Sequence, residues 1–94
     1  MIRHIVLTKF ADPETAAPAA MEKLKSLVPL IPEIVSLEVG RDVLHSERSY
    51  DIGLTVTFRS MEDLARYADH PAHVEVKKYI HAHRTGSVTV DYEF

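Results

Sequence analysis

The chain is 94 residues long, enough for one two-layer domain and too short for a separate cofactor-binding domain. Its 11 Lys+Arg against 14 Asp+Glu give a formal charge of −3, the wrong sign for a nucleic-acid backbone partner. With no cysteine, disulfides, thiolate metal sites and cysteine nucleophiles are excluded. No uncharged run exceeds seven residues, far short of the ~20 needed to span a bilayer, so no membrane partner is expected.

Residues 2 to 10 alternate Ile2, His4, Val6, Thr8, Phe10 against Arg3, Ile5, Leu7, Lys9, the pattern of a strand covered on both faces. The apolar stretch at this N-terminus is too short for a signal peptide, so a cytoplasmic protein is expected. Asp12-Pro13-Glu14 signals a helix start, and Pro18 leaves the true start between Pro13 and itself. Ala20, Leu24, Leu27 and Val28 form an apolar stripe, and Pro29 and Pro32 end the helix. Residues 34 to 44 read as a strand with Val35, Leu37 and Val39 on one face and a bulge at Gly40. A polar turn, His45 to Ser49, leads into a cleanly alternating strand over 50 to 59. Ser60 to Asp63 resembles a capping box opening a short helix to about Asp69. Pro71 starts another helix, running to about His83 and closed with the help of Gly86. Ser87 to Phe94 is the last strand.

The order β-α-β-β-α-β predicts an α+β, ferredoxin-like antiparallel sheet with its helices on one face. The second face would carry Ile5 and Leu7, with Val88, Val90 and Tyr92 from the last strand. That is more apolar surface than a monomer usually exposes, so the expected partner is a second copy, packed sheet to sheet.

Six histidines are the unusual feature of the composition; protonating them all would move the formal charge from −3 to +3. His73 shares a helical stripe with Val76 and Ile80 and therefore points at the sheet. His4 faces the same interior if its strand set is the helix-covered one. A histidine there suits general-base work near neutral pH, or is a buried neutral ring donating to a backbone carbonyl. Tyr67 is a phenol donor for an enolate oxygen, or helical core. Asp91 is a carboxylate able to fix a histidine tautomer, or an edge-strand charge. His70 and His73 are separated by a helix boundary, and His81 and His83 point in different directions, so neither pair reads as a metal site.

Taken together, His4 to Phe10, Ile31-Pro32-Glu33-Ile34, Val39-Gly40-Arg41-Asp42, Tyr50-Asp51, Thr57-Phe58-Arg59-Ser60, Tyr67, His70-Pro71-Ala72-His73-Val74 and Asp91-Tyr92 resemble a stress-responsive α/β-barrel domain of the dimeric α+β barrel superfamily. The likeness spans nearly the whole chain. It implies a dimer whose two sheets close into a barrel. One plant branch of the family comprises polyketide cyclases that perform an aldol cyclisation with carboxylate retention, and the residues matching their catalytic pair are His73 and Tyr67. Residues matching His4 and Asp91 share that pocket. Ala20 and Leu24 stand where the cyclases carry bulky aromatics, and Ile52 where they have another histidine. Some relatives hold a cation on backbone carbonyls near the positions of Val28 and Ile31.

The resulting expectation is a cofactor-free enzyme acting on a small carbonyl compound, with His73, Tyr67 and Asp91 as the catalytic group and His4, Val6, Thr8 and Leu54 against substrate. The alternative is a small-molecule-binding or stress-response protein without turnover.

Overall fold

A computed structural model describes residues 1–94. Its elements are β1 (Ile2–Phe10), α1 (Pro13–Lys25), β2 (Ser36–Arg41), β3 (Ile52–Phe58), α2 (Met61–Asp69), α3 (Pro71–His83) and β4 (Arg84–Glu93). The strands form one antiparallel sheet in the order β2-β3-β1-β4, the ferredoxin-like arrangement the sequence predicts, with the second helical segment split in two at His70-Pro71. His70 serves both halves: its backbone is extended, its N–H closes α2 on Tyr67 O, and its Nδ1 accepts from Ala72 N–H at 3.1 Å to cap α3. Ser60 caps α2 as expected, accepting from Asp63 N–H at 3.1 Å.

The alternation of β1 and β3 sorts side chains between two unlike faces. Ile2, Thr8 and Phe10 with Ile52, Leu54, Val56 and Phe58 are buried beneath the helices. They pack against Ala16, Ala17, Ala20 and Leu24 of α1 and Tyr67 of α2 in a single core. The small alanines let α1 lie close to the sheet. On the opposite face Arg3, Ile5 and Leu7 register with Tyr92, Val90 and Val88. Nothing in the protomer covers them: Leu7 is 38% exposed and Val90 52%. Gly40 and Gly53 sit opposite each other on this face and keep it shallow beside Leu7.

Several local expectations give way to the packing. Helix α1 starts at Pro13, and Pro18 is accommodated inside it on the solvent side, where the ring meets no neighbouring layer. Asp12 occupies the cap position without a side-chain cap bond. Because α1 ends at Lys25, Leu27 turns inward while Val28 leaves the apolar stripe and is 45% exposed. Strand β2 begins at Ser36, so Val35 lies outside it and is exposed, unlike Leu37 and Val39. The β2–β3 ladder runs through Gly40 without a bulge. The irregularity falls at the other edge, where Lys9 pairs with Gly86 but Phe10 with Arg84. Gly86 therefore lies within β4 and does not close α3. The helix passes directly into the strand when Arg84 adopts extended backbone (φ −75°, ψ 149°), and no glycine has a positive φ. No helix is long and apolar enough to cross a membrane.

Candidate functional site

The helix-covered face of β1 is not wholly filled. Between it and the α2–α3 layer lies a cavity of about 300 Å³, a size suited to a small ligand. His4, Val6, Thr8 and Leu54, expected against substrate, line it from the sheet, and Tyr67 and His73 line it from the helices. Leu24 and Ile52 add apolar wall.

Each polar group is positioned by a neighbouring element. Tyr67, only 1% exposed, is wedged by its ring against Phe58 (centroids 5.0 Å apart) and stacked on His73 (4.1 Å, planes 30° apart). Its hydroxyl is buried with no hydrogen-bond partner in the protein. Such an orphan is rare, and at a cavity wall it marks a donor available to a ligand or a water. Burial pushes the phenol well above its ordinary range, so at neutral pH it stays protonated and donates.

His73 sits in the first turn of α3, and its Nδ1 lies 3.1 Å from Ala68 O at the end of α2. A carbonyl only accepts, so Nδ1 carries the proton, and in the neutral ring Nε2 holds the basic lone pair. Burial is the main cause lowering the imidazole below its ordinary 6.5, with Lys77, His4 and His70 adding to it; the Ala68 bond pulls the other way. The ring is thus neutral at pH 7.

Asp91, expected in the catalytic group with His73, is paired with His4. The β1–β4 register sets it opposite His4, and its Oδ1 lies 2.5 Å from His4 Nδ1. The carboxylate orients His4, whose ring meets Tyr67 edge-on at 6.2 Å, while the backbone orients His73. The site therefore holds two separately braced imidazoles flanking one phenol. Periodicity places residues on faces, but the partner of Asp91 depends on strand register, which one sequence leaves open.

Lys77 and His81 of α3 and Arg84 at the start of β4 also line the cavity, a role the sequence pattern does not assign them. The i, i+4, i+8 spacing of His73, Lys77 and His81 puts these three on one stripe of α3. Around the turn after α1, where the resemblance implies a cation on carbonyls, Ile31 O already accepts from Ile34 N–H at 3.2 Å. No group of three or more His, Asp or Glu side chains able to hold a metal occurs in the protein. No step below involves a metal cation.

The model of the stress-responsive A/B barrel domain matches residues 2–94. The chain belongs to that family. Olivetolic acid cyclase of Cannabis sativa is 34% identical to this A/B barrel protein over 77 residues, 78% of this chain and 76% of the cyclase. A dimeric ferredoxin-like protein of unknown function from Bacteroides fragilis superposes with a TM-score of 0.91 at 30% identity, covering 99% of this chain and 95% of that one. The hydroxynitrile lyase of Passiflora edulis shares the fold, with a TM-score of 0.84 at 18% identity over 97% of this chain and 90% of its own.

Proposed function

We propose that this A/B barrel protein is a cofactor-free acid/base enzyme that forms or breaks bonds next to a carbonyl of a small, polyketide-like compound. The observation that carries the reading is the buried, unpartnered Tyr67 hydroxyl, stacked against a neutral His73 at the wall of a ligand-sized cavity. Likeness to a cyclase at 34% identity supports the same reading.

In this mechanism His73 Nε2 takes a proton from a carbon flanked by carbonyls. The electron pair moves onto the carbonyl oxygen, and the Tyr67 O–H donates to the enolate so formed. The enolate carbon attacks a second carbonyl of the same molecule, making the ring C–C bond. The resulting alkoxide takes the proton back from the His73 imidazolium. The step is an isomerisation and needs no redox partner; loss of water then gives the unsaturated ring. A positioned general base contributes typically 10²–10⁴-fold, and one donor to a developing oxyanion about 10²–10³-fold. His4, braced by Asp91, lines the same cavity and holds the substrate against Tyr67. In the assembled protein two copies pack through the uncovered face of Ile5, Leu7, Val88 and Val90. The dimeric state of the Bacteroides fragilis neighbour supports that assembly.

A second reading, a ligand-holding protein without turnover, is favoured by the Ala68 carbonyl on His73, the partner a purely structural histidine also takes. A linear triketide, offered both as its thioester and as its free acid, separates the two. The enzyme reading expects a cyclised product with the wild type and none with His73→Ala, which still folds and dimerises. No product from the wild type, or equal product from both, would overturn it.

A further inference from the structure

Lys77, His81 and Arg84 line the same cavity as His73 and Tyr67. His73, Lys77 and His81 fall on one stripe of α3, so each is about 6 Å along the axis from the last. Arg84 opens β4 opposite Phe10, and its side chain rises on the helix-covered face of the sheet. Ser87, opposite Thr8, adds a hydroxyl there.

The cavity has no Asp or Glu among its lining residues, although the chain as a whole is acidic. Three cations elsewhere are paired with carboxylates, Arg41 with Glu14, Arg66 with Asp63 and Lys78 with Glu75. Lys77 and Arg84 form no ion pair. Half-buried Lys77 is close enough to bear on the His73 charge. Half-buried Lys77 and the solvent-facing His81 and Arg84 thus give this cavity a basic lining with no carboxylate, which suits an anion.

We propose that Lys77, His81 and Arg84 anchor a carboxylate, so that the substrate of the His73–Tyr67 centre is a carbonyl compound bearing a carboxylate about one helical turn or more from the reacting carbon. The inference rests on the acid/base reading for the word "substrate"; the anchor itself stands on the cavity. A carboxylate fits better than a phosphate because this is the C-terminal end of α3. That end carries partial negative charge, which opposes a doubly charged phosphate more than a singly charged carboxylate, and phosphates favour helix N-termini and clusters of backbone N–H groups.

The test is calorimetric binding of 4-acetylbenzoate, acetophenone and 4-acetylphenyl phosphate to the wild type, Lys77→Met, Arg84→Gln and the double variant. The first probe holds carbonyl and carboxylate rigidly at opposite ends of one ring. The wild type is expected to prefer 4-acetylbenzoate over acetophenone at least tenfold at low salt. Each single variant should cut that preference several-fold and the double variant should abolish it. Unchanged acetophenone binding and thermal unfolding would show that the variants keep their cavity and fold. Equal affinities in the wild type, no binding of 4-acetylbenzoate at 10 mM, or a preference surviving the double substitution would overturn the anchor. Tighter binding of the phosphate would overturn its assignment to carboxylates. A protein that keeps the tenfold preference but never removes a proton from carbon would leave the anchor standing and sink only the acid/base reading.

Discussion

Replacing Tyr67 by Phe removes one oxygen atom from a fully buried site, with opposite consequences for stability and for rate. In the free protein the hydroxyl has surrendered its solvation and gained no partner. Leaving a buried polar group unsatisfied costs about 1–3 kcal/mol. The phenylalanine ring can keep the contacts with Phe58 and His73. Tyr67→Phe should therefore leave stability unchanged or raise it by up to ~1 kcal/mol, allowing for a water that partly satisfies the hydroxyl. For a domain of this length that is a rise in Tm of up to roughly 4–8 °C. The same change should lower the rate of enolate chemistry about 10²–10³-fold, because the oxyanion loses its donor. Thermal unfolding at a fixed protomer concentration, since a dimer's Tm depends on it, and exchange of α-protons on acetophenone measure both effects on one sample. A Tm lowered by 4 °C or more would show that the hydroxyl is bonded in the native state and would refute the reasoning. Undiminished exchange would refute it equally.

The remaining predictions concern His73, Asp91 and the uncovered face. Because burial lowers the His73 pKa below 6.5, the unfolded chain takes up this proton first as the pH falls. The His73 contribution to stability is therefore level above pH 6.5 and declines below it, and unfolding curves from pH 7.5 to 5 should fall less steeply for His73→Gln. Asp91→Ala should cost about 1 kcal/mol, discounted for partial exposure of its bond to His4, and should leave the acid limb of the pH–rate profile in place. Were Asp91 the partner of His73, that limb would move. Val90→Asp, in the middle of the uncovered face opposite Ile5, places two unpaired carboxylates in a twofold contact. Sedimentation equilibrium should show dimer affinity lowered at least a hundredfold, about 2.8 kcal/mol.

Much of this architecture was legible because β1 and β3 alternate strictly and the Ser60 and His70-Pro71 signals are local. Strict alternation fixes which residues share a face, and so Val6, Thr8 and Leu54 reached the cavity wall and Leu7 and Val90 the open one. Several departures turn on where an element stops. Val28 and Val35 continue the apolar patterns of elements that do not extend to them. Gly86 looked like a helix stop because glycine supplies left-handed backbone, yet Arg84 ended α3 in ordinary extended conformation. The Asp91 assignment failed on register, since a shift of two residues along β4 preserves the face and changes the partner. Lys77 and Arg84 carry no such signal, because a lone cation on a helix or a strand end is usually solvated, and only the fold brings them to one cavity.

The central claim is that His73 removes a proton from carbon. Proton NMR of acetophenone in D₂O with the purified protein tests it, since this neutral ketone exchanges its methyl protons slowly in water and does not need the basic lining of the cavity. The account predicts protein-catalysed deuterium uptake by the wild type and at least a hundredfold slower uptake with His73→Ala at unchanged fold. Wild-type uptake no faster than buffer, or equal uptake by both proteins, would contradict it.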